Sequence, residues 1–306
     1  MNLKSHIGGV GLRVGLLGLG IAGLVCFGAC PKRDVVGGYE GSTKGRLKIY
    51  GVEIVDHTPE SERPPGVNEK ELQVWVEEQL RNTKTIQIIA EVVDGAYLMR
   101  MELGIGRQRN GEKEQMVAMV TARATVPGGL DSPPLQASAM ALMEEAEPIG
   151  AQKRKHLMAV MKAVVEDLGY QAGLVGAPET ELVKALSGKD ADHLAAAVEI
   201  VAIRRVKSAL PALVKLLRSK DTGISDRAIG ALVSIGDREA VRSLTRLAKF
   251  SDTALLAKIL DGVAALGGKE AVDYLSFVAV GHEDADIRNL AREALERMKN
   301  REASGR

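Results

Sequence analysis

The chain has 306 residues, of which 45% are hydrophobic and only 3% aromatic. This composition excludes global disorder, and the scarcity of aromatic residues favours helix-on-helix packing over an aromatic-rich β-sandwich. Lysine and arginine number 41 against 40 aspartate and glutamate residues, so no overall charge would attract nucleic acid. The two cysteines, Cys26 and Cys30, both lie near the N-terminus, which excludes a disulfide framework or a cysteine-based metal site in the rest of the chain.

The N-terminal segment has the layout of an export signal. Lys4 and Arg13 precede an uncharged apolar run from Val14 to Ala29. As a helix this run would be about 24 Å long, which is short of the roughly 30 Å of a bilayer core. The segment therefore predicts a cleaved signal peptide over residues 1–29.

The end of this run, Phe27-Gly28-Ala29-Cys30, resembles the lipobox of bacterial lipoproteins. Phe27 departs from the leucine that is usual at its position, but an ordinary secretory cleavage would require a small residue there. The resemblance implies that Cys30 is lipidated and that the acyl chains anchor the protein in the bacterial cell envelope, facing the periplasm. It leaves open whether the inner or the outer membrane holds the protein. An uncleaved anchor and a cytoplasmic protein are the alternatives.

A second motif overlaps the export signal. Gly18, Gly20 and Gly23 match the G-x-G-x-x-G fingerprint of dinucleotide-binding folds. That site needs a helix after the third glycine, and Pro31 and Gly37-Gly38 would interrupt it. We therefore favour the export signal and predict no cofactor.

Residues 30–45 are polar and glycine-rich and predict a flexible tether. Residues 46–176 predict an α+β domain, a mostly antiparallel sheet covered by two helices in the order β-α-β-β-β-β-α. Asn68 is placed to cap the first helix, and Asn110-Gly111 indicates a hairpin turn. The strands are expected at residues 47–55, 85–90, 97–107, 114–126 and 135–142, and the helices at residues 69–81 and 151–171.

From Glu179 the sequence repeats with a step of 31 residues, which predicts an all-α solenoid of four two-helix units over residues 177–299. In each unit a helix A precedes a helix B, and an aspartate before helix B is placed to cap it. Gly236 and Gly267 should end helix B in the left-handed conformation, and Arg205 holds that position in the first unit. Residues 300–306 are expected to be a disordered tail. The repeated positions are Leu182, Leu213, Leu244 and Leu275, and Asp190, Asp221, Asp252 and Asp284, the last after one extra residue.

The unit pattern, as in Asp221…Ala228…Ala231-Leu232, resembles HEAT-like repeats of the short phycobilin-lyase type. The resemblance implies a scaffold that binds proteins and, in a minority of such arrays, chromophore-related enzymology. We expect a lipid-anchored, non-enzymatic scaffold for an unknown envelope protein, with the exposed helix-B residues Asp226, Arg227 and Lys258 as candidate contacts. A chromophore-lyase-like enzyme is one alternative, and a regulator of an envelope synthase acting through the α+β domain is the other.

The sequence offers little support for catalysis or metal binding. It contains no Gly-x-Ser-x-Gly, Walker A or His-Glu-x-x-His motif. Capping aspartates on successive repeats would lie about 10 Å apart and could not share one ion. No histidine has another three or four residues away, so all are read as solvated or capping side chains: His6, His57, His156, His193 and His282.

Overall fold

The computed structural model describes residues 45–110, 113–129, 132–143 and 149–303, all within one compact unit. Cys30, the export signal with its glycine motif, His6 and nearly all of the tether lie outside the described residues. Gly111 in the predicted hairpin turn and residues 304–306 also lie outside them. None of the described helices has the length and hydropathy needed to cross a membrane.

Five strands form a single sheet in the order β2-β1-β3-β4-β5. The predicted α+β class and element order are confirmed. Antiparallel pairing joins β3 to β4 and β4 to β5, and these are the longest ladders, but β1 runs parallel to both of its neighbours. Parallel pairing is set by a crossover connection, which leaves no local sequence signal. The strands are β1 (Leu47–Asp56), β2 (Ile86–Ile88), β3 (Tyr97–Asn110), β4 (Lys113–Thr125) and β5 (Leu135–Leu142).

Two helices, α1 (Glu69–Asn82) and α2 (Gly150–Val175), pack on the sheet. Asn68 caps α1 as predicted, since its Oδ1 accepts the Glu71 amide at 2.9 Å. Helix α2 runs about one turn beyond its predicted end at residue 171. A Cβ at Gly169 would lie only 2.7 Å from Thr83 Cγ2, so this glycine lets α2 approach the end of α1 closely.

Eight helices follow α2 and form four A/B pairs. The predicted step of 31 is confirmed in the packing, because Leu182, Leu213, Leu244 and Leu275 are all 0% exposed. Other series of positions 31 residues apart on the A helices therefore lie along one face of the array. The pairs are α3 (Glu179–Ala185) with α4 (Ala191–Ile203), α5 (Leu210–Leu216) with α6 (Thr222–Ile235), α7 (Ala240–Leu247) with α8 (Thr253–Leu266), and α9 (Lys269–Gly281) with α10 (Ala285–Ala303).

The predicted tail is wrong at its start, because α10 continues through residues 300–303. The guanidinium of Arg301 donates hydrogen bonds to the carbonyl oxygens of Ala264 and Ala265 in α8. This side chain fixes the last turn of α10 against the preceding unit.

The aspartate caps are confirmed in all four units. Each carboxylate accepts a backbone amide from the first turn of its helix B, for example Asp221 Oδ1 from Gly223 at 2.8 Å and Asp252 Oδ1 from Leu255 at 3.1 Å. This capping contributes about 1 kcal/mol per helix.

The helix-B ends differ from unit to unit. Gly236 has the predicted left-handed conformation, with φ 74° and ψ 18°. Gly267 does not, since its ψ of −167° places it in an extended region open to glycine alone. The chain then passes through Gly268, also at positive φ, into α9. Arg205 in the first unit adopts φ 50°, which strains a residue with a Cβ.

The array and the sheet share one continuous hydrophobic cluster. Helix α2 packs against α4, and Arg204 at the end of α4 donates to Ala177 O at 2.5 Å and Val175 O at 3.3 Å. The first unit is therefore covered by α2 and is not left open to solvent.

Candidate partner-binding surface

The three residues predicted to contact a partner lie on the exposed face of the B helices. Asp226 and Arg227 are on α6 and Lys258 is on α8. The structure joins two of them, because Lys258 Nζ lies 2.6 Å from Asp226 Oδ2. Arg227 is exposed and forms no ion pair within the part of the chain described here.

A second ion pair continues this pattern along the array, since a guanidinium nitrogen of Arg297 on α10 lies 2.6 Å from Asp261 Oδ1 on α8. Both pairs link successive B helices and are about half exposed. Exposed pairs of this kind contribute less than about 1 kcal/mol each. They pair one cation of α8 and one of α10, and they leave Arg227 of α6 without an ion pair among the described residues.

The A helices and the turns that follow them carry a second charged surface, which the sequence analysis did not predict. We call it the basic row, and all its members are exposed: Lys184, Lys215, Arg218, Arg246 and Lys249. Two series of positions 31 residues apart generate this row. The repeated leucines define the spacing of 31 residues, and comparing the polar positions of the repeats at that spacing would have revealed the basic row in the sequence.

The basic row ends in an apolar group at the fourth unit. Phe277 and Val280 occupy the positions of Arg246 and Lys249 one repeat later, and they are 60% and 84% exposed. The Phe277 ring lies 5.7 Å, centroid to centroid, from the partly exposed ring of Phe250. We call these three residues the apolar end of the row.

His282 lies beneath this apolar end and is only 2% exposed, so of its two predicted roles, solvated or capping, the structure excludes the solvated one. Its Nδ1 accepts the Asp284 amide at 3.0 Å, and its Nε2 lies 3.0 Å from the Phe250 carbonyl oxygen. An Nδ1 that accepts requires the proton on Nε2, which then donates to Phe250. His282, in the turn that contains the extra residue of the fourth unit, thus ties two inter-helix turns together.

A polar cluster marks the contact between α2 and α4. The His193 ring stacks on Tyr170, with centroids 3.8 Å apart, and its Nε2 lies 3.8 Å from Asp167 Oδ1. That carboxylate oxygen is buried without a hydrogen-bond partner, although Gln171 donates to the other oxygen at 3.3 Å. Burial raises the pKa of Asp167, against smaller lowering effects of Gln171 and His193. Burial also raises the pKa of Tyr170.

The remaining features are less specific. Two open grooves, of about 630 and 500 Å³, lie at the turn between α8 and α9 and beside β2. On the sheet, Met119 and Met140 are exposed cross-strand neighbours, next to exposed Leu142. Within the described part of the chain, no group of three or more acidic, histidine or cysteine side chains could hold a metal ion.

Comparison with protein families matches residues 179–255 to HEAT repeats. The match covers the first two units and the start of the third, and it supports the HEAT-like character of the array. HEAT-type repeats are generally protein-interaction scaffolds and are typically non-catalytic. Comparison with curated proteins finds no match to the chain.

Proposed function

We propose that this protein is a lipid-anchored scaffold of the bacterial cell envelope that binds a protein partner through its repeat array. The array carries this proposal, because four stacked helix pairs present long exposed faces beside a buried core. Stacked repeats of this kind form extended surfaces that bind partners.

The envelope location rests on the export signal and on Cys30. Intact mass measurement of the protein extracted from membranes tests it directly, with Cys30→Ala as the comparison. We expect a mass that begins at Cys30 and carries acyl chains, and we expect Cys30→Ala to lack them. A full-length, unmodified chain beginning at Met1 would remove the lipid anchor from the proposal and leave the array untouched.

Contact through the helix-B face rests on Arg227 and the neighbouring Asp226–Lys258 pair. Tagged full-length protein carrying Arg227→Glu and Lys258→Glu should recover less of its partner from solubilised membranes than the wild type. Lys70→Glu, at an exposed position on α1, is the matched control for charge reversal. Equal recovery by all three proteins would exclude the helix-B face as the contact.

The exposed Met119, Met140 and Leu142 favour a second candidate, in which the α+β region contacts and regulates an envelope enzyme. Exposed apolar clusters on a sheet often mark contacts. Met119→Ser with Met140→Ser should then abolish regulation while the array variants retain it. The chromophore-lyase alternative gains no support from the two grooves described, which are open; the one between α8 and α9 is lined mainly by charged side chains, and the one beside β2 by a mixture of apolar and polar ones.

A further inference from the structure

The basic row and its apolar end break the symmetry of the array at exposed positions. Lys184, Lys215 and Arg246 occupy one series of equivalent positions, and the fourth member is Phe277. Ser187, Arg218 and Lys249 occupy the other series, which ends in Val280. In both series a cation is replaced by a large apolar residue at an exposed position of the fourth unit. This replacement does not contribute to the core, because the core of each unit is formed by buried residues such as the repeated leucines.

The cations of this row lack the ion pairs that neutralise Lys258 and Arg297 on the B helices. No ion pair to any of the five appears among the described residues, whereas Lys258 and Arg297 are both held by aspartates at 2.6 Å. The exposed carboxylates of the A helices lie at the two ends of the array, Glu179 and Glu181 on α3 and Glu270 and Asp273 on α9, and Glu270 pairs with Arg242. Helices α5 and α7 carry no carboxylate, so the middle of the row is positive along the helices themselves, and the capping aspartates of the adjoining turns accept backbone amides.

The dimensions of the row fit an extended peptide. Packed helices lie about 10 Å apart, so four successive A helices place Lys184 about 30 Å from Phe277. An extended chain covers that distance in about nine residues.

A flat anionic membrane fits less well. The apolar side chains are confined to one end of the row and are not spread along it, whereas a membrane surface would favour apolar residues along the whole contact.

We infer that the basic row, with Phe250, Phe277 and Val280 at its end, binds an extended acidic segment of a protein partner that carries large apolar residues at one terminus. This inference rests on the proposed function and names the chemistry of the partner. Cations along the row attract the acidic residues and set the register, and the apolar end fixes the direction of the segment.

Fluorescence anisotropy with full-length protein and a labelled peptide tests the inference. The probe has about nine residues rich in glutamate followed by Leu-Phe-Leu, made in both directions, and a matched probe ends in three serines. We expect one direction to bind more tightly, with an affinity that falls as salt rises. Lys215→Glu combined with Arg246→Glu should weaken binding by about tenfold or more, whereas Lys70→Glu on α1 should not.

Phe277→Ser should retain acidic binding but lose the preference for the Leu-Phe-Leu probe over the serine probe. Lys215→Gln combined with Arg246→Gln should weaken peptide binding less than the charge reversal does. This variant replaces the charge-reversal variant in the assay if the reversal lowers thermal stability. Unchanged binding in both double variants would overturn the inference. So would absence of peptide binding together with row-dependent binding to vesicles containing phosphatidylglycerol. If the peptides fail while the partner is still captured and is lost in Arg227→Glu, the scaffold function stands and only this inference falls.

Discussion

The sheet region and the repeat array bury their hydrophobic side chains according to different rules. In the sheet, Met99 and Met101 of β3 face the small residues Ala124 and Ala122 of β4, and each of these contacts occurs once. In the array, the same leucine fills the same place in every unit. In an array, each residue can therefore be compared with the residues at the equivalent positions of the other repeats. Phe277 differs in this comparison, because its equivalents are lysine or arginine. The strands of the sheet are not repeats of one another, so no such comparison can be made within the sheet.

The largest expected effect breaks the regular core. Leu244→Ala in the third unit should lower the free energy of unfolding by about 3 kcal/mol, because removing a fully buried leucine side chain leaves a cavity. Since each unit of an array contacts only its neighbours, amide exchange should accelerate in α5–α10 more than in β3 and β4. Equal acceleration in the sheet would show that the two regions unfold as one.

A smaller loss is expected from the irregular fourth turn. His282→Ala leaves the Phe250 carbonyl and the Asp284 amide without their partner, which should cost about 2 kcal/mol in denaturant unfolding. His156→Ala, at a half-buried position on α2, is the control and should change stability much less. Similar losses in both variants would contradict a bridging role for His282.

The contact between the two regions should respond to pH. The raised pKa of Asp167 means that the folded state holds this proton more tightly than the unfolded state does. Stability therefore falls as pH rises from the ordinary aspartate range through the raised value. Asp167→Asn should melt at a higher temperature than the wild type at pH 7, and the difference should vanish near pH 3.5. A variant that is less stable at pH 7 would show that the carboxylate stabilises the contact.

The smallest effect is expected when Arg205, at the end of α4, is replaced by the glycine found at the equivalent position of the next two units. Arg205→Gly should stabilise the protein by about 0.5 kcal/mol, because glycine adopts a positive φ without strain and this gain exceeds its entropy cost. Arg205→Ala retains a Cβ and should give no such gain. Equal melting temperatures of the two variants would contradict the role of backbone strain, because both variants remove the charge and only Arg205→Gly removes the Cβ.

Prediction from the sequence succeeded where structure is local or periodic. Asn68 and the four repeat aspartates correctly predicted where their helices begin, and the bounds of β5 match the expected residues 135–142. The parallel pairing of β1 with β3 depends on a crossover, and the burial of His282 depends on a turn one repeat away. Neither leaves a local pattern. Asp226 and Lys258 were predicted as independent contacts, but packing of α6 on α8 brings them together as a pair.

Site-specific photo-cross-linking in intact cells tests most directly whether the array is the binding region. A photoreactive residue at position 227 or 246 samples the B and A faces, and one at position 119 samples the open sheet face. We predict a discrete adduct with one protein from at least one array position and none from position 119. An adduct from position 119 alone would contradict the scaffold proposal and move the binding function to the α+β region.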